Sequence, residues 1–363
     1  MKIYFKIYRY RLPLAEKLIL KNNEITTREG LVLNLTDEHN HSGWGEIAPL
    51  PGFSHESLDD ALGQTKNLRH ALHGTMLPEN LEELSGSFEK WLGNYELAPS
   101  VRCGIETAVL NLIADSRRIP LCRLLSERCQ TALMVNALLN GTFDDVVEQS
   151  HKVKELGYRA AKLKVGRHPL AEDITLIAAV RSILGDNITL RLDANRAWAF
   201  DDAVEFGSRM KKYPVEYIEE PLRDPSRLIQ FHEATGLNIA LDESLTDTLP
   251  EKYEKQPGVV AFILKPSLAG GFERTMKFIR KAHQLRIGSI ISSSYETSLG
   301  LSALAHLAAG IDYENRPHGL NTMNYFKDDL LTTPLEIYQG KIDLETKPSQ
   351  PDIKADNLTE IDG

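Results

Sequence analysis

Cysteine is scarce in this chain: 363 residues include three, Cys103, Cys122 and Cys129. The number is odd and the spacings match no zinc-ligand pattern, which argues against a disulfide scaffold or a structural zinc module. The expectation is reduced, mostly buried thiols in a cytoplasmic protein. A positive charge excess is missing as well. The formal charge is −9, and no local Lys/Arg cluster offsets it, so no nucleic acid is expected as a partner. Long apolar runs are absent. The stretch from Leu299 to Ile311 is too short and too interrupted to span a bilayer, so no membrane association is expected. The opening MKIYFKIYRYRLPL alternates polar and apolar residues and reads as a strand, without the continuous apolar segment of a signal peptide. No G-x-S-x-G elbow presents a serine nucleophile. What remains is 42% hydrophobic and 26% charged, a globular composition. The length suits two domains, a barrel of about 250 residues and a smaller companion.

Period-two patterning in Ile3, Phe5 and Ile7, repeated in Leu31, Leu33 and Leu35, predicts an antiparallel meander with a polar turn at His39 to Gly43. The period then lengthens through Leu58, Ala61, Leu62 and Leu68 to Leu81, Leu84 and Trp91, as amphipathic helices require. Ser100 is expected to cap a following helix, and Pro120 to sit in the first turn of another. From Met134 onward seven short apolar runs, MVNALL, AAKLKVG, ITLRLDAN, VEYIEEP, NIALDES, VVAFILKP and IGSIISSS, alternate with helical segments. This is the rhythm of right-handed βαβ crossovers. An eighth strand is expected between Gly310 and Pro317. Polar residues end nearly every run rather than clustering at one switch point, so the fold class is α/β, a closed (β/α)8 TIM-type barrel. The expected organisation is an N-terminal α+β capping domain over 1–99, the barrel over 100–320, and a tail over 321–363 that returns to the cap and includes the alternating IYQGKIDL. The loop WGEIAPLPGFS and the segment Pro13 to Ile25 are expected to cover the barrel mouth.

Six charges close these runs at separations of roughly 23 to 31 residues, one strand plus one return helix: Lys162 and Lys164, Asp193, Glu219, Asp242 and Lys265. Lys162 and Lys164 are two apart and point to the same side, into the barrel near its C-terminal mouth. Each ammonium is expected to depress the other's pKa, readying a lysine for general-base work. Three converging carboxylates require a hard dication, and oxygen-only ligation favours Mg²⁺ over zinc. A substrate carboxylate held there between lysines is suited to loss of its α-proton as an enediolate forms. The expected partner is therefore a small-molecule carboxylate; no oligomeric state is specified. Glu220 and Glu243 are expected to face away and act as ion-pair supports. Gly270-Gly271 reads as a phosphate-cradling turn or simply the start of a helix. Ser292, Ser293 and Ser294 read as hydroxyls for a substrate carboxylate or as a capping turn. His318 lines the mouth or satisfies a loop.

The strings REGLVL, WGEIAPLPGFSHES, KLKVG, LDAN, EEP, LDES, LKPSLAGG, SSSYETSLG and HGLNT span nearly the whole chain. Together they resemble the muconate-lactonizing subgroup of the enolase superfamily. The resemblance extends to the branch that dehydrates 2-succinyl-6-hydroxy-2,4-cyclohexadiene-1-carboxylate to 2-succinylbenzoate. It implies that Asp193, Glu219 and Asp242 bind Mg²⁺, with Mn²⁺ as a substitute. It also implies that Lys164 is the acid/base, that Lys162 helps hold the enediolate, and that Lys265 stabilises the intermediate as a cation against the opposite ring face. Ser292, Ser293, Ser294, Asn195, Pro51 and Phe53 are the implied substrate contacts. Racemisation of N-succinylamino acids would use the same groups with Lys265 as a second base. Dipeptide epimerisation is disfavoured by HGLNTMNYF, which lacks an Asp-x-Asp pair, and the mandelate-type subgroup by serines where a His would stand. A catalytically silent barrel would have lost one of the six charges, and none is lost.

Overall fold

The computed structural model describes residues 1–20, 23–311, 314–344 and 351–361. The chain opens with an antiparallel sheet of β1 (Tyr4–Leu20), β2 (Asn23–Thr36) and β3 (Ser42–Ile47). β1 and β2 pair from Tyr4 opposite Thr36 to Leu20 opposite Asn23, with a register shift between Pro13 and Leu18. The period-two set buries one face, Phe5 and Ile7 packing with Leu31, Leu33 and Leu35. Ser57 caps α1 (Leu58–Leu72) in a reciprocal pair with Asp60; α2 (Ser87–Leu92) follows. α3 (Pro99–Ser116) begins one residue before the expected cap. Pro99 takes the first helical position, and Ser100 lies inside the helix, its hydroxyl donating to Glu56. α3 lies directly on β3. A Cβ at Gly43 or Gly45 would stand 2.0 Å from the carbonyl oxygen of Ala108 or Gly104, so the glycines flanking Trp44 permit this approach.

After α4 (Leu121–Leu125) the chain folds back, and Cys122 and Cys129, expected as thiols, are joined in a disulfide with Cα atoms 5.7 Å apart. Their separation in sequence carries no pairing signal; the turn after α4 creates the proximity. Cys103 is a buried free thiol.

β4 (Ala132–Met134) and β5 (Ala137–Leu139) lead into the alternation α5 (Phe143–Glu155), β6 (Ala160–Lys164), α6 (Leu170–Leu184), β7 (Thr189–Asp193), α7 (Phe200–Met210), β8 (Ile218–Glu219), α8 (Leu228–Thr235), β9 (Ile239–Leu241) and β10 (Val259–Leu264). α9 (Pro266–Ala269), α10 (Phe272–Leu285), β11 (Gly288–Ile291) and α11 (Ser298–Ile311) complete it. β5 to β11 form one seven-stranded parallel sheet in chain order. The sheet curls until Val135 and Ser292, at its two edges, bridge His318 and Gly319. The eighth position is thus held by His318-Gly319, beyond the expected 310–317, because α11 runs through Gly310 and Ile311; residues 312–313 lie outside the described residues. The alternating segment near the C-terminus also departs from expectation. β12 (Lys341–Asp343) pairs with β4, and it is β13 (Thr359–Glu360) that joins the cap beside β1. No helix among the described residues is long and apolar enough to cross a membrane.

His306, buried in α11, supplies a pH test of the core. Burial pulls its imidazole down from 6.5 to about 4. Below pH 6.5 the unfolded chain binds a proton that the folded one refuses until about pH 4. Stability present above 6.5 is therefore lost as pH falls through that window, by about 3 kcal/mol from this group. Urea unfolding of wild type and His306→Leu between pH 8 and pH 4 should show the wild type losing that much more than the variant; parallel curves would refute the assignment.

Candidate active site

The parallel register places the six charges side by side. Lys164 is paired with Asp193 across β6 and β7, and Asp193 with Glu219 across β7 and β8. Asp242 follows β9 and Lys265 follows β10. Three consecutive strands thus present carboxylates, and the strands on either side present lysines. Lys162 Nζ donates to both oxygens of Glu219 at 2.9 and 2.8 Å and lies 2.7 Å from Asp193 Oδ2. Lys164 Nζ donates to Asp193 Oδ2 at 2.6 Å and Asn195 Oδ1 at 2.5 Å. Lys265 pairs with Asp242.

This arrangement makes the two lysines of β6 unequal. Burial pulls the Lys164 ammonium down, and Lys162 and Lys265 add to that against the opposing pull of Asp193, so its pKa is lowered. Burial also acts on Lys162, but Asp193, Glu219 and Asp242 outweigh it and hold that lysine well above its ordinary value. The expected mutual depression therefore survives at Lys164 alone. Burial likewise opposes the charge on Asp193, yet Lys162 and Lys164 hold its carboxyl well below the usual range. Glu219 is raised well above that range by burial and by the neighbouring Asp193 and Asp242.

Among the described residues no three His, Cys, Asp or Glu side chains stand grouped to hold a metal ion; the lysines engage Asp193, Glu219 and Asp242. The donor chemistry nonetheless fits a hard dication. Asp193, Glu219 and Asp242 are buried carboxylates at the ends of adjacent strands, and burial with the neighbouring Asp193 and Asp242 outweighs the lysines at Glu219. Glu243 Oε2, beside them, is buried without a hydrogen-bond partner.

Glu220 behaves as a support. It accepts from the backbone N–H of Asp242 (2.9 Å) and Ser244 (2.7 Å) and from Arg196 Nε (3.0 Å), fixing the end of β9. Glu243, expected to face away, instead lines the cavity and accepts from Asn195 Nδ2 at 3.0 Å. β9 ends at Leu241 and a 3₁₀ turn begins at Glu243, so strand alternation no longer governs its direction. Asn195, Arg196, Glu220 and Tyr295 all hold positive φ, between 41° and 60°. Such strain gathers where surrounding structure dictates the backbone.

Lys162, Lys164 and Lys265 open into a cavity of about 540 Å³ that also receives Asn195, Phe53 and Ser292 to Ser294, whereas Asp193, Glu219 and Asp242 are not part of its wall. Pro51 is exposed and not part of its wall. Ile19 and Leu20 from the tip of the β1–β2 hairpin and Leu50 after β3 close one side. Ser293 Oγ bonds Thr322 Oγ1 at 2.8 Å, whereas Ser294 Oγ is buried without a partner. The serines do not cap α11. His318 Nδ1 accepts from the Ile291 N–H at 3.0 Å, a structural role within the closing sheet. The Gly270-Gly271 turn has no room for a phosphate. Glu106 fills it, accepting from the N–H of Glu273 at 2.9 Å, and a Cβ on Gly271 would lie 2.4 Å from its carboxylate.

Sequence reasoning passed over Asn136, Arg167, Tyr295, Asn321 and Thr322, all in the cavity wall, because none closes a strand with a charge. It also passed over Arg28. This guanidinium, 2% exposed, donates to the carbonyls of Ala48 and Pro49 at 2.6 Å and of Tyr295 at 3.1 Å, tying the loop that carries Leu50 and Phe53 to the loop after β11. Its one sequence signal is a charge on a strand in REGLVL.

The family described as Enolase C-terminal domain-like matches residues 145–348, and that described as MenC, N-terminal domain, matches residues 2–112. The o-succinylbenzoate synthase of Aliivibrio fischeri (strain MJ11) is 34% identical over 336 residues, covering 90% of this chain and 93% of that protein. The chain belongs to the o-succinylbenzoate synthase family of the enolase superfamily. It is also 35% identical to Protein PHYLLO, chloroplastic, of Arabidopsis thaliana, over 92% of this chain but only 22% of that longer protein. In fold it is similar to a dipeptide epimerase from Cytophaga hutchinsonii crystallised with Mg and a dipeptide, with a TM-score of 0.86, 22% identity and 99% of each chain covered. In this member of the o-succinylbenzoate synthase family, the strings WGEIAP and SSSYETSLG meet in space. Glu46 accepts from the hydroxyls of Tyr10 (2.5 Å) and Thr297 (2.7 Å) and from the N–H of Gly300 (2.9 Å), so a cap carboxylate satisfies the start of α11.

Proposed function

We propose that the protein is a hydro-lyase of menaquinone biosynthesis, converting 2-succinyl-6-hydroxy-2,4-cyclohexadiene-1-carboxylate to 2-succinylbenzoate and water, with Mg²⁺ as its ion. The observation that carries this reading is the order of strands at the mouth, carboxylates on β7, β8 and after β9, flanked by lysines on β6 and after β10. Asp193, Glu219 and Asp242 would hold the ion, which when bound would supply positive charge against the negative charge growing on the substrate carboxylate as its α-proton leaves. Lys164, with its ammonium pKa drawn down, takes the proton from C1 and returns it to the hydroxyl leaving C6 on the same face. One proton and one hydroxide depart as water, and the ring becomes aromatic. Lys162 supplies fixed positive charge from below. Lys265, paired with Asp242, faces the ring from the other side as a cation. A racemase would need Lys265 as a neutral base, and there, unlike at Lys164, burial is outweighed by Asp242 and Glu219, which raise the ammonium pKa.

Purified protein with Mg²⁺ should convert the substrate with a rise in the ultraviolet absorbance of the aromatic product, and EDTA should stop it. No such product, together with racemisation of N-succinylamino acids, would replace this reading with the racemase.

A further inference from the structure

We propose that Arg167 recognises the second carboxylate of the substrate, the one that ends the succinyl tail; the inference rests on the function proposed above. Among the described residues four cationic side chains line the cavity: Lys162, Lys164, Lys265 and Arg167. Each lysine is ion-paired with Asp193, Glu219 or Asp242. Arg167 has no carboxylate partner among the described residues. Its Nη1 donates to Asn140 Oδ1, a neutral acceptor, at 2.6 Å.

Position agrees with this charge inventory. Arg167 leaves the loop after β6 and reaches the neighbouring loop, where Asn140 stands just past β5. Arg167 and Tyr295 share the cavity wall, the Tyr295 ring lies 5.1 Å from that of Tyr325, and Arg167 is among the charges that oppose burial's upward pull on both phenols. Tyr295 follows β11 and Tyr325 lies beyond the eighth position. Arg167 therefore overlooks the side formed by β5, β11 and His318-Gly319, across the barrel from the carboxylates of β7 to β9. A substrate whose ring carboxylate faces those three residues directs its ortho tail toward Arg167. The guanidinium offers a planar fork that matches a carboxylate in two hydrogen bonds, a stronger partner than the single amide oxygen of Asn140. Its exposure at the rim leaves the free enzyme without a buried unpaired charge.

The test uses the full-length protein with Mg²⁺ and compares wild type, Arg167→Gln and Arg167→Lys. Steady-state kinetics give kcat and KM for the hydroxycyclohexadiene substrate. Calorimetry gives Kd for 2-succinylbenzoate and for benzoate, which carries the ring carboxylate alone. Arg167→Gln is expected to raise KM and the Kd of 2-succinylbenzoate by roughly 10- to 100-fold, with kcat within about threefold and benzoate affinity unchanged. Arg167→Lys, which keeps the charge and loses the fork, is expected to fall between. The inference is overturned if Arg167→Gln binds 2-succinylbenzoate as the wild type does, or if it weakens benzoate and 2-succinylbenzoate equally. A wild type that neither binds nor forms 2-succinylbenzoate would overturn the proposed function itself, and this inference with it.

Discussion

Lys164→Ala is expected to lower kcat on the order of 10³- to 10⁴-fold, the range in which a general acid–base contributes. On the proposed mechanism this lysine rather than its neighbour carries the effect. Lys162 is held between Glu219 and Asp193 and stays protonated, whereas burial and two nearby ammonium groups lower Lys164. The fold should tolerate the change. Lys164 is only partly buried, and Asp193 keeps Lys162 at 2.7 Å after truncation. Steady-state assays beside a thermal melt check both parts, with kcat collapsing while the melting temperature moves by a few degrees at most. Near-normal turnover by a folded Lys164→Ala protein would remove Lys164 from the proton transfer.

Glu219→Gln is expected to abolish the response to Mg²⁺ and to reduce turnover on the order of 10³-fold, since a bound dication supplies several kcal/mol of charge stabilisation. At an Mg²⁺ concentration near 100 times Kd the wild type should melt roughly 5 °C higher than in EDTA. The variant should melt at one temperature in both. Basal stability is expected to change little, because burial, Asp193 and Asp242 oppose the Glu219 charge, and Lys162 keeps Asp193 at 2.7 Å when its pair with Glu219 is weakened. A neutral side chain of the same shape relieves that opposition. An undiminished Mg²⁺ shift in Glu219→Gln would show that Glu219 does not hold the ion.

The Arg167 and Lys164 experiments separate recognition from chemistry. The first alters how the tail is held and the second how the proton moves, so a shared loss of kcat in both would point to a general disturbance of the mouth.

Much of this architecture was legible because alternation is local. Apolar runs of barrel-strand length mark β5 to β11, and residues two apart share a side, so Lys162 and Lys164 had to point together. The same logic failed wherever a strand stopped. Glu243 turns into the cavity because a 3₁₀ turn replaces the pleat after Leu241. The closing position fell at His318-Gly319, whose two-residue bridge is too short to carry a period. Pro51 and Phe53 share one loop, and only its path puts Phe53 in the wall and Pro51 in solvent.

By itself the sequence determined the barrel, the order of six charges around its mouth, and the donor chemistry suited to a hard dication. Those properties depend on residue type and spacing along one chain. The tertiary structure decided the rest: the Cys122–Cys129 bond, the filling of the Gly271 turn by Glu106, the clamp made by Arg28, the inequality of Lys162 and Lys164, and the placement of Arg167. Each depends on groups distant in sequence meeting at a few ångströms, where burial and charge act through space and no periodicity records them.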